Sequence, residues 1–271
     1  MSSIHISNAM VLAVEDLVNP NNPRLCWRNI VTPQILTATS STDDSPVRNL
    51  ANSSTAFGWE ADDPSPAVPY PEQSITVETG GRQIDFIGFA RHNITGEVKI
   101  SFIVGTDETT IFDFGEVPLD QAVLFLINPA TPDAVKISIR DNESAPRIAV
   151  LSIGVATVFQ RRLYVGHTPV TYGRQLQTIG TISEGGQYLG EIIRRETRQT
   201  TIELTNLTAQ FYRDEIDPFI AQRPRQAAFW AWRPGDYPDE VGYIWLRGNP
   251  QPINQRANGM MSVTLEVEGI A

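Results

Sequence analysis

Hydrophobic and polar positions alternate with a period of two along much of the chain. Val98, Ile100, Phe102 and Val104 alternate with Glu97, Lys99, Ser101 and Ile103; Val135, Ile137 and Ile139 alternate with Lys136, Ser138 and Arg140. Successive side chains of a strand point to opposite faces, so this spacing predicts half-buried β-strands. Shorter apolar runs at Ser74–Val77, Ile84–Phe89, Thr110–Phe114 and Ala122–Leu126 are separated by Gly, Pro, Asp and Asn, the residues that supply turn geometry. Six or more short strands at this spacing predict a two-sheet antiparallel sandwich in the middle of the chain.

The C-terminal part is also mostly β. Met261, Val263, Leu265 and Val267 alternate with Ser262, Thr264, Glu266 and Glu268, which predicts a final strand with an acidic outer face. Residues 228–246 read as two aromatic strands joined by a Pro- and Asp-rich connection, with Trp230 and Trp232 sharing one face, as Tyr243 and Trp245 do. One helix is predicted. Leu207, Phe211, Ile216, Phe219 and Ile220 recur at helical spacing, with Asn206 or Thr208 as N-cap. Pro218 inside that pattern implies a kink, or a fresh start capped by Asp217. Residues 38–54 form the strongest loop signal and are expected to lead into the middle unit.

Charge divides the 271-residue chain further. There are 21 basic and 31 acidic residues, a net −10. Residues 1–55 carry four acids and three bases, residues 56–155 fifteen and six, and residues 156–271 twelve of each, so the partition is −1, −9 and 0. A shift of this kind marks residues 56–155 as a unit with its own surface; one domain with an acidic face is the alternative. The acidic balance argues against a nucleic-acid partner, whose phosphates must be neutralised by Lys and Arg. The longer apolar runs, such as Ala122–Ile127 and Ile148–Val158, are too short to span a membrane. The N-terminal residues show no charged and then apolar leader pattern, so synthesis in a cytoplasm without a signal peptide is expected. Cys26 is the single cysteine, which excludes an intrachain disulfide.

Catalytic patterns are missing. His5, His92 and His167 are isolated in sequence, and neither a GxSxG elbow nor a phosphate-cradling glycine motif occurs. No metal and no cofactor is expected. Glycoside hydrolysis needs only two carboxylates across a cleft, and Asp62, Asp63, Asp107, Glu108, Asp236, Asp239 and Glu240 are available; solvated loop acids are the ordinary alternative. Asp62 and Asp63 are also a candidate calcium pair. Sugar binding without hydrolysis fits the middle unit better, because sandwich loops carry binding residues on a rigid frame. Trp59, Tyr70, Arg91, His92 and Asn93 are the candidates, against a core-anchoring role for Trp59 and a turn-forming role for the Arg91–Asn93 segment.

Two stretches carry a resemblance. Residues 57–60 (FGWE) and 84–93 (IDFIGFARHN) are similar to discoidin-like, galactose-binding-like sandwiches, in which an aromatic–Trp entry precedes a strand ending in Ala-Arg-His-Asn-Leu; here Ile94 replaces the Leu. Residues 229–234 (FWAWRP) and 237–245 (YPDEVGYIW) resemble distal tail or baseplate proteins of long-tailed bacteriophages. The resemblance implies a mainly β chain: a split, ring-forming domain with one helix at residues 1–55 and 156–271, and an inserted discoidin-like jelly roll at 56–155. It further implies a non-enzymatic virion protein, made in the host cytoplasm and located at the tail tip. This protein would form a homo-oligomer, a hexameric ring, at the end of the tail tube against tail-tip and hub proteins, and its sandwich would face host surface glycans. Trp230, Trp232, Tyr237, Tyr243 and Trp245 are then the candidate assembly residues, with core filling as their alternative. A carbohydrate-active enzyme, or an accessory carbohydrate-binding module, is the competing function.

Overall fold

A computed structural model describes residues 3–5, 19–62, 69–163, 166–182, 184–222, 227–255 and 259–271. The described residues form seventeen strands. They are β1 (Ser3–His5), β2 (Arg24–Asn29), β3 (Leu36–Ala38), β4 (Trp59–Glu60), β5 (Gln73–Glu78), β6 (Ile84–His92), β7 (Glu97–Val104), β8 (Asp107–Glu116) and β9 (Val123–Ala130). They continue with β10 (Ala134–Arg140), β11 (Arg147–Val158), β12 (Arg174–Ile182), β13 (Tyr188–Thr208), β14 (Ala227–Ala231), β15 (Val241–Arg247), β16 (Ile253–Asn254) and β17 (Met260–Ile270). Every period-two segment of the sequence lies in one of these strands, and the predominantly antiparallel β class is what the structure shows.

Two sheets hold the strands. A five-stranded sheet has the order β3-β5-β10-β7-β8. The larger sheet runs β1-β9-β6-β11-β2-β14-β15-β17-β13-β12, with β4 on β11 and β16 on β17; its pairings are antiparallel except that of β1 with β9. The first core fills the space between the small sheet and the β9-β6-β11 portion of the large one. It joins Ile75, Val98, Ile100, Val135 and Ile137 to Ile87, Phe89, Phe125, Leu151 and Ile153. A second core gathers Leu25, Trp27, Trp230, Ile244, Leu204 and Val263 around Tyr212, Ile216 and Phe219 of the helical segment.

The two cores share one continuous sheet. Along β11, residues 148–154 pair with β6, and residues 154–158 pair with β2. The large sheet also curves until its back faces meet: Phe86, Ala90 and Leu124 pack against Cys26, Phe229 and Tyr243 in a third buried cluster. Gly88 is required there, since a Cβ at that position would lie 2.9 Å from the Phe229 ring. At the bulge between Val155 and Thr157 the ladder is interrupted, and the Ala156 N–H donates instead to the Asp85 carboxylate at 2.6 Å. Burial raises the Asp85 pKa to about 6.

Three local expectations need correction. Residues 38–54 are more than a connecting loop: Val47–Ala51 is a 3-10 turn whose Leu50 is buried in the first core, alongside Val31 and Leu36. Apolar residues within the polar segment draw it onto the sandwich. The outer face of β17 is only partly acidic and exposed, because Glu268 is buried and faces Arg247 at 3.5 Å. Val104 is exposed at the β7–β8 turn, where the alternation runs past the edge of the core. The helix forms where expected. Thr208 accepts the Phe211 N–H as cap, and α-helical Ala209–Phe211 leads through a π turn at Tyr212–Ile216 into Asp217–Ala221. Pro218, which has no N–H to donate, is the second residue of that last segment, whose cap residue is Ile216 and not Asp217, and Arg28 donates to the Asp214 carbonyl at 3.4 Å.

Candidate functional site

The end of β6 is fixed by local hydrogen bonds. Asn93 Oδ1 accepts the Arg147 N–H at 2.7 Å, and its Nδ2 donates to the Ala145 carbonyl at 2.8 Å. Asn93 therefore ties the end of β6 to the start of β11. His92 lies buried beneath, edge-on to Phe89 at 5.1 Å, and its Nδ1 accepts the Ile94 N–H at 3.2 Å. Burial lowers the His92 pKa to about 4, against the opposing pull of Asp120 and the Gln121 and Pro118 backbone. The ring is neutral near pH 7 and acts as a structural acceptor.

Above these residues opens a cavity of about 530 Å³, lined by Arg91, Leu119, Asp120, Arg147 and Thr55 over His92 and Asn93. Its parts come from the end of β6, the β8–β9 connection, the start of β11 and the loop after Val47–Ala51. Arg91 and Asp120 pair at 2.7 Å, and both have left-handed backbones, with φ of 55° and 52°. Such a conformation is unfavourable for a residue with a Cβ and persists where the surroundings impose it. Leu119 is 55% exposed and forms an apolar ledge; Phe57, 63% exposed, lies on the same loop as Thr55. The combination offers planar guanidinium donors, one acceptor and an apolar surface. It carries one carboxylate, already ion-paired, where glycoside hydrolysis uses two.

The other sequence candidates are placed elsewhere. Trp59 and Tyr70 are buried in the first core, and Trp59 Nε1 donates to the Ser40 carbonyl at 2.8 Å. The core-anchoring role therefore describes Trp59, and neither ring presents a face to the cavity. Trp230 and Tyr243 are also buried, with Tyr243 donating to the Ser53 carbonyl at 2.9 Å. Trp245 is half-buried. Trp232 stacks on the exposed Tyr237, with ring centroids 5.3 Å apart and planes 6° from parallel, and Arg233 lies against both.

Among the hydrolytic candidates, Glu108 is held below the usual carboxylate range by hydrogen bonds from Ser101 and Lys136. Asp236 pairs with Arg233, and Glu240 accepts Trp232 Nε1. Asp63 and the His5 side chain lie outside the described residues. Among the described residues no group of three or more His, Cys, Asp or Glu side chains is placed to hold a metal. No described helix is long and apolar enough to cross a membrane.

The structure brings Arg91, His92 and Asn93 to one cavity with Leu119, Asp120 and Arg147, which the sequence did not single out. Their signal is weak: a Pro-Leu-Asp turn and a single base before a buried strand, both distant in sequence from Arg91.

No protein-family model and no curated protein sequence matches the chain. Solved structures similar to it include carbohydrate-binding modules, at low identity. Chitosan-binding module 1 from a Paenibacillus sp. IK-5 chitosanase/glucanase is 13% identical, with a TM-score of 0.40 over 46% of this chain and 98% of the module. The family 32 module of Clostridium perfringens NanJ, solved with galactose, is 16% identical, with a TM-score of 0.39 over 48% and 98%. A further Clostridium perfringens module, CpGH89CBM32-5, solved with GalNAc-β-1,3-galactose, is 17% identical, with a TM-score of 0.38 over 44% and 93%.

Proposed function

We propose that this chain is a non-catalytic glycan-binding protein whose sandwich holds sugar in the cavity above His92. The observation that carries this reading is the cavity itself. The Arg91–Asp120 pair provides donors and an acceptor in fixed orientation, and Leu119 provides apolar surface for a pyranose face. Asn93 and His92 position the site without touching ligand. Repeated presentation of such a site raises its effective affinity. A glycan array probed at high protein density, followed by titration calorimetry, tests the reading. Arg91→Ala is expected to weaken binding at least tenfold. An array with no bound glycan would overturn the proposal, and release of cleaved product would overturn its non-catalytic part.

A second reading, as a ring-forming distal tail or baseplate subunit of a phage virion, is favoured by one specific feature. The β12–β13 hairpin pairs with β17 only through residues 198–208 of β13. Residues 188–197 pair with β12 alone, leaving a two-stranded ribbon. Tyr188, Leu189, Ile192 and Ile193 on it are 58–72% exposed. A two-stranded ribbon is marginal in water by itself, and apolar side chains along an open edge suit association with neighbouring copies. This reading joins the glycan site to a homo-oligomer at the tail tip. Size-exclusion chromatography with light scattering is expected to show a hexamer. Leu189→Asp with Ile192→Asp should reduce it to monomers, and a strictly monomeric parent protein would sink this reading.

A further inference from the structure

Residues 56–155 contain fifteen acids and only six bases, so each base has many carboxylates to choose from. Four of the six are in ion pairs: Arg91 with Asp120, Lys99 and Lys136 with Glu108, and Arg140 with Glu97. Arg82 donates to the Thr79 carbonyl at 3.0 Å. Arg147 is the exception. Its guanidinium has no hydrogen-bond or ion-pair partner among the described residues, although Glu60 is its cross-strand neighbour in the β4–β11 ladder. That unengaged arginine lines the cavity above His92, where Arg91 and Asp120 already neutralise one another. The cavity thus carries a net positive charge inside the most acidic third of the molecule.

We infer that the cavity selects glycans bearing an anionic substituent, a carboxylate or a phosphate, which Arg147 receives. The inference rests on the glycan reading above and narrows its substrate class. A guanidinium presents paired N–H donors that match two oxygens of either group, which a neutral hydroxyl cannot reproduce. The Arg147 backbone N–H is held by Asn93 and does not depend on the side chain, so replacing the exposed side chain leaves the local fold in place.

Titration calorimetry of the full chain, with three ligands at two salt concentrations, tests this. The ligands are a galacturonate oligosaccharide, a glycerol-phosphate-substituted oligosaccharide and a neutral galactose oligosaccharide. At low salt at least one anionic ligand should bind about tenfold or more tightly than the neutral one, and the advantage should shrink as salt rises. The uronate and phosphate arms identify which anion Arg147 prefers. Arg147→Gln should remove the anionic advantage while leaving neutral-sugar affinity within about twofold. Equal binding of all three ligands, or an anionic advantage that survives Arg147→Gln, would overturn the inference and leave the glycan reading standing. Absence of binding by all three would overturn the inference, and an array with no bound glycan would overturn the reading it rests on.

Discussion

Strands β11 and β13 are both long, and they meet different fates. Each residue from 148 to 158 in β11 lies within a strand flanked by β6, β4 or β2, and most of its side chains are buried. In β13 the same apolar character is covered over one half only: Ile202, Leu204 and Leu207 are buried beside β17, while Leu189, Ile192 and Ile193 face solvent on the ribbon. Hydrophobicity along a strand shows that it seeks cover. It does not show whether the cover lies in the same chain.

Substitutions along these strands measure that difference. Leu204→Ala, in the covered half of β13, should lower the unfolding free energy by about 3 kcal/mol, as large-to-small changes in packed cores do; denaturant melts would show it, and a cost below ~1 kcal/mol would mean that this half is loosely packed. At the β11 seam, Asp85 has a native pKa of about 6, above its ordinary 3.8. Protonation therefore favours the native state, and stability falls as pH rises from about 4 through about 6. The loss is at most about 3 kcal/mol, from roughly 1.4 kcal/mol per pKa unit. Asp85→Asn can still accept the Ala156 N–H and should flatten this part of the pH–stability curve. A slope unchanged in the variant would show that other groups set it.

Smaller effects are expected further along the comparison. Tyr243→Phe removes the hydrogen bond to the Ser53 carbonyl and should cost about 1 kcal/mol, read from the same melts. Ile192→Ala, on the bare ribbon, should change the stability of the isolated chain by less than ~0.5 kcal/mol. The Leu204 and Ile192 results together would distinguish a strand with one role from a strand with two.

Much of this architecture was legible in the sequence, because alternation reports directly on burial in strands. Val135, Ile137 and Ile139 are buried as their spacing requires, and Thr208 caps the helix that follows it. Pairing over long distances was not legible. Nothing near Leu50 indicates that it enters the first core, and nothing near Glu268 indicates that Arg247 lies beside it. The cavity was half visible for the same reason. Arg91, His92 and Asn93 are consecutive, whereas Asp120 and Arg147 reach them only through folding. Aromatic residues misled in one direction: Trp59 and Tyr70 have the chemistry of sugar platforms and the burial of core anchors.

The strand shared by both cores has a mechanical consequence. Because β11 passes without a linker from the part of the large sheet that pairs with β6 beneath the cavity into the part that pairs with β2, a load applied at the cavity would travel along a hydrogen-bonded strand and not through a hinge. The back-to-back packing of Gly88 on Phe229 braces that path from behind. Copies held together by their ribbons would therefore present their cavities at fixed spacing and angle. Binding by such an array would reward surfaces whose sugars repeat at the matching interval, making the geometry of the target, as much as its chemistry, a determinant of attachment.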